Sequence, residues 1–90
     1  MKIIDSSVYP LQSDQSVYHL ATLVDGVREY VAFLLDNKVY IEEITGGNLK
    51  YIDDDDIAKE AEELLLDAGI LHPMNIAAKI KRWEDTQRKN

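Results

Sequence analysis

Ninety residues, 46% of them hydrophobic and 30% charged, suffice for one small core and not for two, because halves of that size rarely fold on burial alone; residues 1–90 are therefore expected to form a single domain. The absence of cysteine excludes disulfide staples, thiolate metal sites and cysteine nucleophiles. A net charge of -7 and a pI near 4.6 argue against general affinity for nucleic acid or anionic membranes. No apolar run approaches a membrane span, and the Met1-Lys2-Ile3-Ile4-Asp5 start has no signal-peptide profile, so a cytoplasmic location is expected.

The elements follow in chain order. Lys2 to Ile4 is a candidate short strand, and Ser6 to Ser16, with Pro10 and several polar residues, reads as a loop. Val17 to Val24 is a strand ending at Asp25-Gly26, a strong hairpin signal because both residues tolerate the positive φ of a type I′ turn. Val27 to Leu35 is the return strand. Pairing Val24 with Val27 sets Leu20 opposite Val31 and Tyr18 opposite Phe33 on one face, with His19 opposite Ala32 and Ala21 opposite Tyr30 on the other. Asp36-Asn37 turns the chain into Lys38 to Thr45; a two-residue loop there sets Phe33 beside Tyr40, and a three-residue loop with a bulge sets it beside Ile41. Gly46-Gly47-Asn48 leads into a last strand, Leu49 to Ile52.

Helical periodicity begins after Asp53 to Asp56. Ile57, Ala61, Leu64, Leu65 and Ala68 share one stripe, Gly69 is the expected left-handed stop, and Pro73 opens a second helix after His72. That helix carries Ile76, Ile80, Trp83 and Gln87 on a narrower stripe. The expected architecture is α+β: a four-stranded antiparallel β-meander, with Lys2 to Ile4 as a candidate fifth strand, packed against two C-terminal helices.

Charge is distributed unevenly, with 15 acids and 5 bases in residues 1–70 against 2 acids and 5 bases in residues 71–90. Asp53, Asp54, Asp55 and Asp56 suit a helix N-terminus, where carboxylates accept orphan N–H bonds and face the positive end of the macrodipole. They lack the ligand spacing and glycine of a calcium loop, so no metal is expected. Four aspartates exceed what one cap requires. Glu60, Glu62, Glu63 and Asp67 continue the acidity along the outer arc of the first helix, offset only by Lys59, and Glu42 and Glu43 add charge on a strand. Leu66 lies on that arc too, either covered by the second helix or exposed as an apolar anchor. Such a surface suits a basic protein partner, with carboxylates standing in for phosphates.

The basic tail, Lys79, Lys81, Arg82, Arg88 and Lys89, supports another reading, a DNA-binding regulator using the second helix with Asn75, Lys79 and Arg82 as readers. Against it stand the interrupting Glu84 and Asp85 and the acidic body. A structural or assembly subunit, dimeric through a sheet edge or Trp83, is the third class. His19 and His72 have no partners at ligand or catalytic-triad spacing, and Gly46-Gly47 is a turn rather than a phosphate loop. Neither catalysis nor a cofactor is expected. Tyr18, Tyr30, Tyr40 and Tyr51 are sheet formers that also serve as interface anchors when exposed.

In size, acidity and layout the chain resembles the small inhibitors that phages and mobile elements direct at host defence nucleases, anti-CRISPR proteins among them, and the acidic immunity proteins of toxin nucleases. The acidic surface leads to the same expectation: a non-enzymatic inhibitor or decoy, monomeric or homodimeric, that occupies the basic nucleic-acid-binding surface of a partner protein such as a nuclease or a nucleic-acid-binding complex. The partner-binding residues expected on this reading are Glu42, Glu43, Asp53, Asp54, Asp55, Asp56, Glu60, Glu63, Leu66 and Asp67, with no direct contact to nucleic acid or membrane.

Overall fold

The computed structural model describes residues 1–88. In chain order its elements are β1 (Lys2–Asp5), β2 (Tyr9–Pro10), β3 (Val17–Asp25), β4 (Arg28–Leu35), β5 (Lys38–Thr45), β6 (Asn48–Lys50), α1 (Asp55–Asp67) and α2 (Pro73–Arg88). The strands form one antiparallel sheet in the order β1-β3-β4-β5-β6, with β2 also paired to β3. The meander and the two helices are as expected for an α+β chain. Tyr9-Pro10 is a correction to the loop expected over Ser6 to Ser16. It pairs with His19 and Tyr18, at the outer side of β3, where a proline costs little because no further strand needs its missing N–H.

The β3–β4 hairpin departs from the expected register. Asp25 pairs with Arg28, so the loop is Gly26-Val27 rather than Asp25-Gly26. Gly26 has φ +63° and Val27 is not left-handed, the pattern of a II′ turn with glycine first, not of I′. Ala21 therefore faces Ala32, Thr22 faces Val31 and Leu23 faces Tyr30. A bulge then intervenes at Leu20, beyond which His19 faces Phe33 and Tyr18 faces Leu34. The extra residue lets Leu20 and Ala21 both enter the core while His19 reaches the opposite face. The remaining turns are regular. Asp36 and Asn37 have φ of 52° and 64°, as type I′ requires, and of the two registers considered the one placing Phe33 beside Tyr40 is observed.

The last strand ends at Lys50, and Ile52 leaves the sheet to enter the core. Asp54 caps α1: its Oδ1 accepts from the backbone N–H of Asp56 at 2.9 Å and of Ile57 at 3.3 Å. At the other end Gly69, with φ +75°, closes a Schellman motif. Ile70 N donates to Leu65 O and Gly69 N to Leu66 O, both at 3.0 Å, and the buried Ile70 and Leu65 belong to the same cluster, the apolar contact that accompanies this motif. Ala68 is the cap residue and is exposed, not part of the buried stripe. His72 Nδ1 accepts from the Met74 N–H at 3.2 Å, so it does cap α2.

The core lies between one face of the sheet and the helices. Leu20, Ala21, Leu23, Tyr30 and Ala32 meet Ile52, Ala61, Leu65, Ile70 and Ile76. Trp83 is half-buried and meets Tyr18 edge-on, with ring centroids 6.4 Å apart. The fully buried Tyr30 hydroxyl has no hydrogen-bond partner among the described residues, and an unsatisfied buried hydroxyl costs about 1–3 kcal/mol. Tyr30→Phe is expected to leave stability unchanged or raise it by about 1 kcal/mol, measured by urea unfolding; a loss beyond 1 kcal/mol would mean that the hydroxyl is bonded in solution.

The other face of the sheet carries an aromatic row across four strands. Tyr9 stacks on His19 at 4.5 Å, His19 pairs with Phe33, and Phe33 stacks on Tyr40 at 5.6 Å. Val31, Phe33 and His19 are buried, yet all three lie outside the cluster that holds the helices.

Candidate functional site: the acidic face of α1

With 3.6 residues per turn, burying Ala61 and Leu65, with Ile57, Ala58 and Leu64 half-buried beside them, turns the other residues of α1 outward. Asp55, Asp56, Glu60, Glu62, Glu63 and Asp67 are all exposed, and Lys59 and Leu66 share their arc. Leu66 is 55% exposed, which decides between the two placements expected for it: α2 does not cover it. The 13 residues of α1 span about 20 Å, giving one net negative charge per about 4 Å, close to one phosphate per about 3.4 Å along a strand of duplex DNA.

Asp53 and Asp54 extend this face at its N-terminal end, though Asp54 is committed to capping. Together with Glu43, Arg28, Lys50 and Tyr51 they line a shallow hollow beside the start of α1. Glu43 is half-buried there and accepts a hydrogen bond from the Thr45 hydroxyl at 3.0 Å. Glu42 does not join them. It pairs with Val31 on the side of the sheet away from the helices, because neighbouring residues of a strand point to opposite faces. The site thus keeps Glu43 and loses Glu42.

Two residues singled out in the sequence but not placed in the partner-binding set join it. Glu62 belongs by helical position, and its signal was the same 3.6-residue period that selects Glu63. Tyr51, 75% exposed at the edge of the hollow, is one of the tyrosines expected to anchor where exposed, and it lies just beyond β6, which ends at Lys50 rather than Ile52.

The cations of α2 do not neutralise this surface. Among the described residues the ion pairs are those of the Met1 amino group, at 3.8 Å from Asp25 and 4.0 Å from Glu60. Lys79 and Arg82 instead line a groove with Ser6, Ser7, Val8 and Trp83, and Lys79 Nζ donates to the Ser6 carbonyl at 3.3 Å. Lys81 and Arg88 fall on a different arc of α2, interrupted by Glu84 and Asp85. Lys89 lies outside the described residues. Asn75, considered as a base reader, already donates from Nδ2 to the Gly69 carbonyl at 2.7 Å, which binds the turn between the helices.

Among the described residues no three His, Asp or Glu side chains converge as metal ligands, and no helix is long and apolar enough to cross a membrane. No family model, curated protein or solved structure matches the chain.

Proposed function

We propose that the protein works by binding, as an inhibitor or decoy whose α1 face occupies the basic nucleic-acid-binding surface of another protein. The observation that carries this reading is the row of exposed carboxylates on α1, offset only by Lys59 and by the Met1 amino group at Glu60, at nearly the net charge spacing of a nucleic-acid strand. Leu66 and Tyr51 supply apolar anchors within and beside it, as a specific interface requires in addition to charge.

Asp67 adds a second support. It stands in the last turn of a helix that has no basic residue there, where the macrodipole disfavours an anion by about 0.3–1 kcal/mol. Solubility is served equally well by lysine at that position. A carboxylate placed against the preference of the fold is accounted for by a partner that reads it.

The test is a variant carrying Asp55→Asn, Glu63→Gln and Asp67→Asn, with Asp54 left intact so that the helix keeps its cap. The wild-type chain, immobilised at low salt, is expected to retain from its host's extract a basic protein that duplex DNA displaces. The variant is expected to bind that protein at least tenfold more weakly and with a flatter salt dependence, while remaining helical by circular dichroism. Retention of the same protein with unchanged affinity by the folded variant, or absence of any DNA-displaceable partner, defeats the proposal.

A further inference from the structure

We infer that the protein also pairs with a second copy of itself through β5, strand to strand and antiparallel, about a two-fold axis passing beside Tyr40. The starting point is an incomplete sheet edge. β6 pairs with β5 only along Glu43 to Thr45, so among the described residues the stretch from Lys38 to Glu42 has β4 on one side and no strand on the other. This stretch is regular, with no bulge in its pairing to β4, and contains no proline, so it lacks two of the usual devices that protect an edge.

The direction of its free backbone groups follows from the turns. A two-residue loop makes Leu35 and Lys38 a hydrogen-bonded pair, and antiparallel pairs alternate. Lys38, Tyr40 and Glu42 therefore bond inward to β4, and the N–H and C=O groups of Val39 and Ile41 point outward. Glu43 and Thr45 belong to the same outward set and are paired by Lys50 and Asn48. Among the described residues no backbone bond from a turn, loop or cap reaches Val39 or Ile41.

A two-fold axis at Tyr40 uses those groups completely. Val39 of each copy faces Ile41 of the other, and each such pair exchanges both N–H···O bonds. Tyr40 faces its own counterpart in the closer, non-hydrogen-bonded position, extending the aromatic row from Phe33 across the axis. Lys38 faces Glu42 of the second copy, twice, on the same side of the sheet as Tyr40. Neither side chain has an ion-pair partner within the described residues of its own chain. This self-complementary charge order selects a second copy over an unrelated extended peptide.

Apolar surface supports the same register. Val39 is 36% and Tyr40 41% exposed. On the helix side, two hollows share Val39 and Leu71, one closed by Pro73, Ile76 and Ile80 and the other by Ile41, Ala58 and the carboxylate-bearing Glu62. Val39 and Ile41 of a second copy arrive beside these hollows. The surface meets the acidic arc of α1 only at Glu62, which lines the second hollow; Asp55, Glu63 and Asp67 do not line either hollow, so their substitution and those on β5 test partner binding and self-pairing separately.

Sedimentation of the pure protein from micromolar to millimolar concentration tests the inference without any partner. Reversible dimers are expected, strengthened by salt because each copy carries a net charge of -7. Lys38→Glu or Glu42→Lys alone is expected to weaken association about tenfold by opposing like charges twice, and the double exchange to restore it. Val39→Pro is expected to abolish it with the monomer still folded, since that N–H is outside the intrachain ladder. Amide exchange should show Val39 and Ile41 becoming protected only as concentration rises. A monomer at every concentration, a dimer indifferent to these substitutions, or a double exchange that fails to restore association overturns the inference.

Discussion

His19→Leu is expected to cost about 2–3 kcal/mol of folding stability, measured by urea unfolding. His19 is 2% exposed, with Nδ1 2.6 Å from the Ser7 carbonyl and Nε2 2.7 Å from the Thr22 hydroxyl. A carbonyl only accepts, so Nδ1 carries the proton and donates, leaving Nε2 to accept from Thr22. Leucine fills the volume but strands both partners. Ser7 is exposed and can recover a water, which places the cost below that of two fully buried losses. The imidazole also stacks on Tyr9, so amide exchange should accelerate across residues 2–10 before the rest of the sheet. Thr22→Val in the same background should return part of the loss; a His19→Leu variant within 0.5 kcal/mol of wild type would contradict this account of the site.

The same segment responds to acid. The backbone N–H of Ser7, followed by its hydroxyl, holds the Asp5 carboxyl below its ordinary range. The stabilisation is complete above the carboxylate's unfolded pKa and is lost as pH falls through the lower folded value, so acid should loosen the β1–β2 corner as His19→Leu does.

Leu65→Ala is expected to cost about 3–4 kcal/mol, the larger of the two effects. Leu65 is fully buried, packs in the core with Ile70, and accepts the hydrogen bond from Ile70 that ends α1. Truncation opens a cavity where α1, the turn and the sheet meet. Both helices should therefore show faster amide exchange while the β3–β4 hairpin stays protected. Leu66→Ala provides the contrast. One position along the helix and 55% exposed, it should change stability by less than about 0.5 kcal/mol. Equal losses at the two positions would place the buried face of α1 elsewhere.

Much of the site is legible without coordinates. The apolar period that buries Ala61 and Leu65 leaves Asp56, Glu60, Glu63 and Asp67 only the outer arc, and Asp54 at the head of that run is a ready cap. The separation of Glu42 from Glu43 is equally local, since alternation along a strand forbids both from sharing a face. What alternation does not reveal is which of them stands on the helix side, because that depends on where the helices come to rest.

The β3 register shows the opposite case. Asp25-Gly26 announces a hairpin, but whether Gly26 is the first or second loop residue changes every pairing by two, and both choices keep the same residues on each face. Leu20 decides the matter through packing: two adjacent apolar residues, Leu20 and Ala21, gain more from entering one core together than regular pairing returns, and the resulting bulge sends His19 to the far face to be satisfied by Ser7 and Thr22.

The order of the meander strands and helices, the turns at Asp36-Asn37 and Gly46-Gly47, both ends of α1 and its acidity follow from the amino-acid sequence alone, because each depends on residues close together in the chain, whereas β2 forms only by pairing with the distant β3. The bulge, the enclosure of His19, the exposure of Leu66 and the unpaired edge of β5 belong to the tertiary structure. Each is settled by competition among residues distant in the chain for the same buried volume or the same hydrogen-bond partner, which no local pattern records.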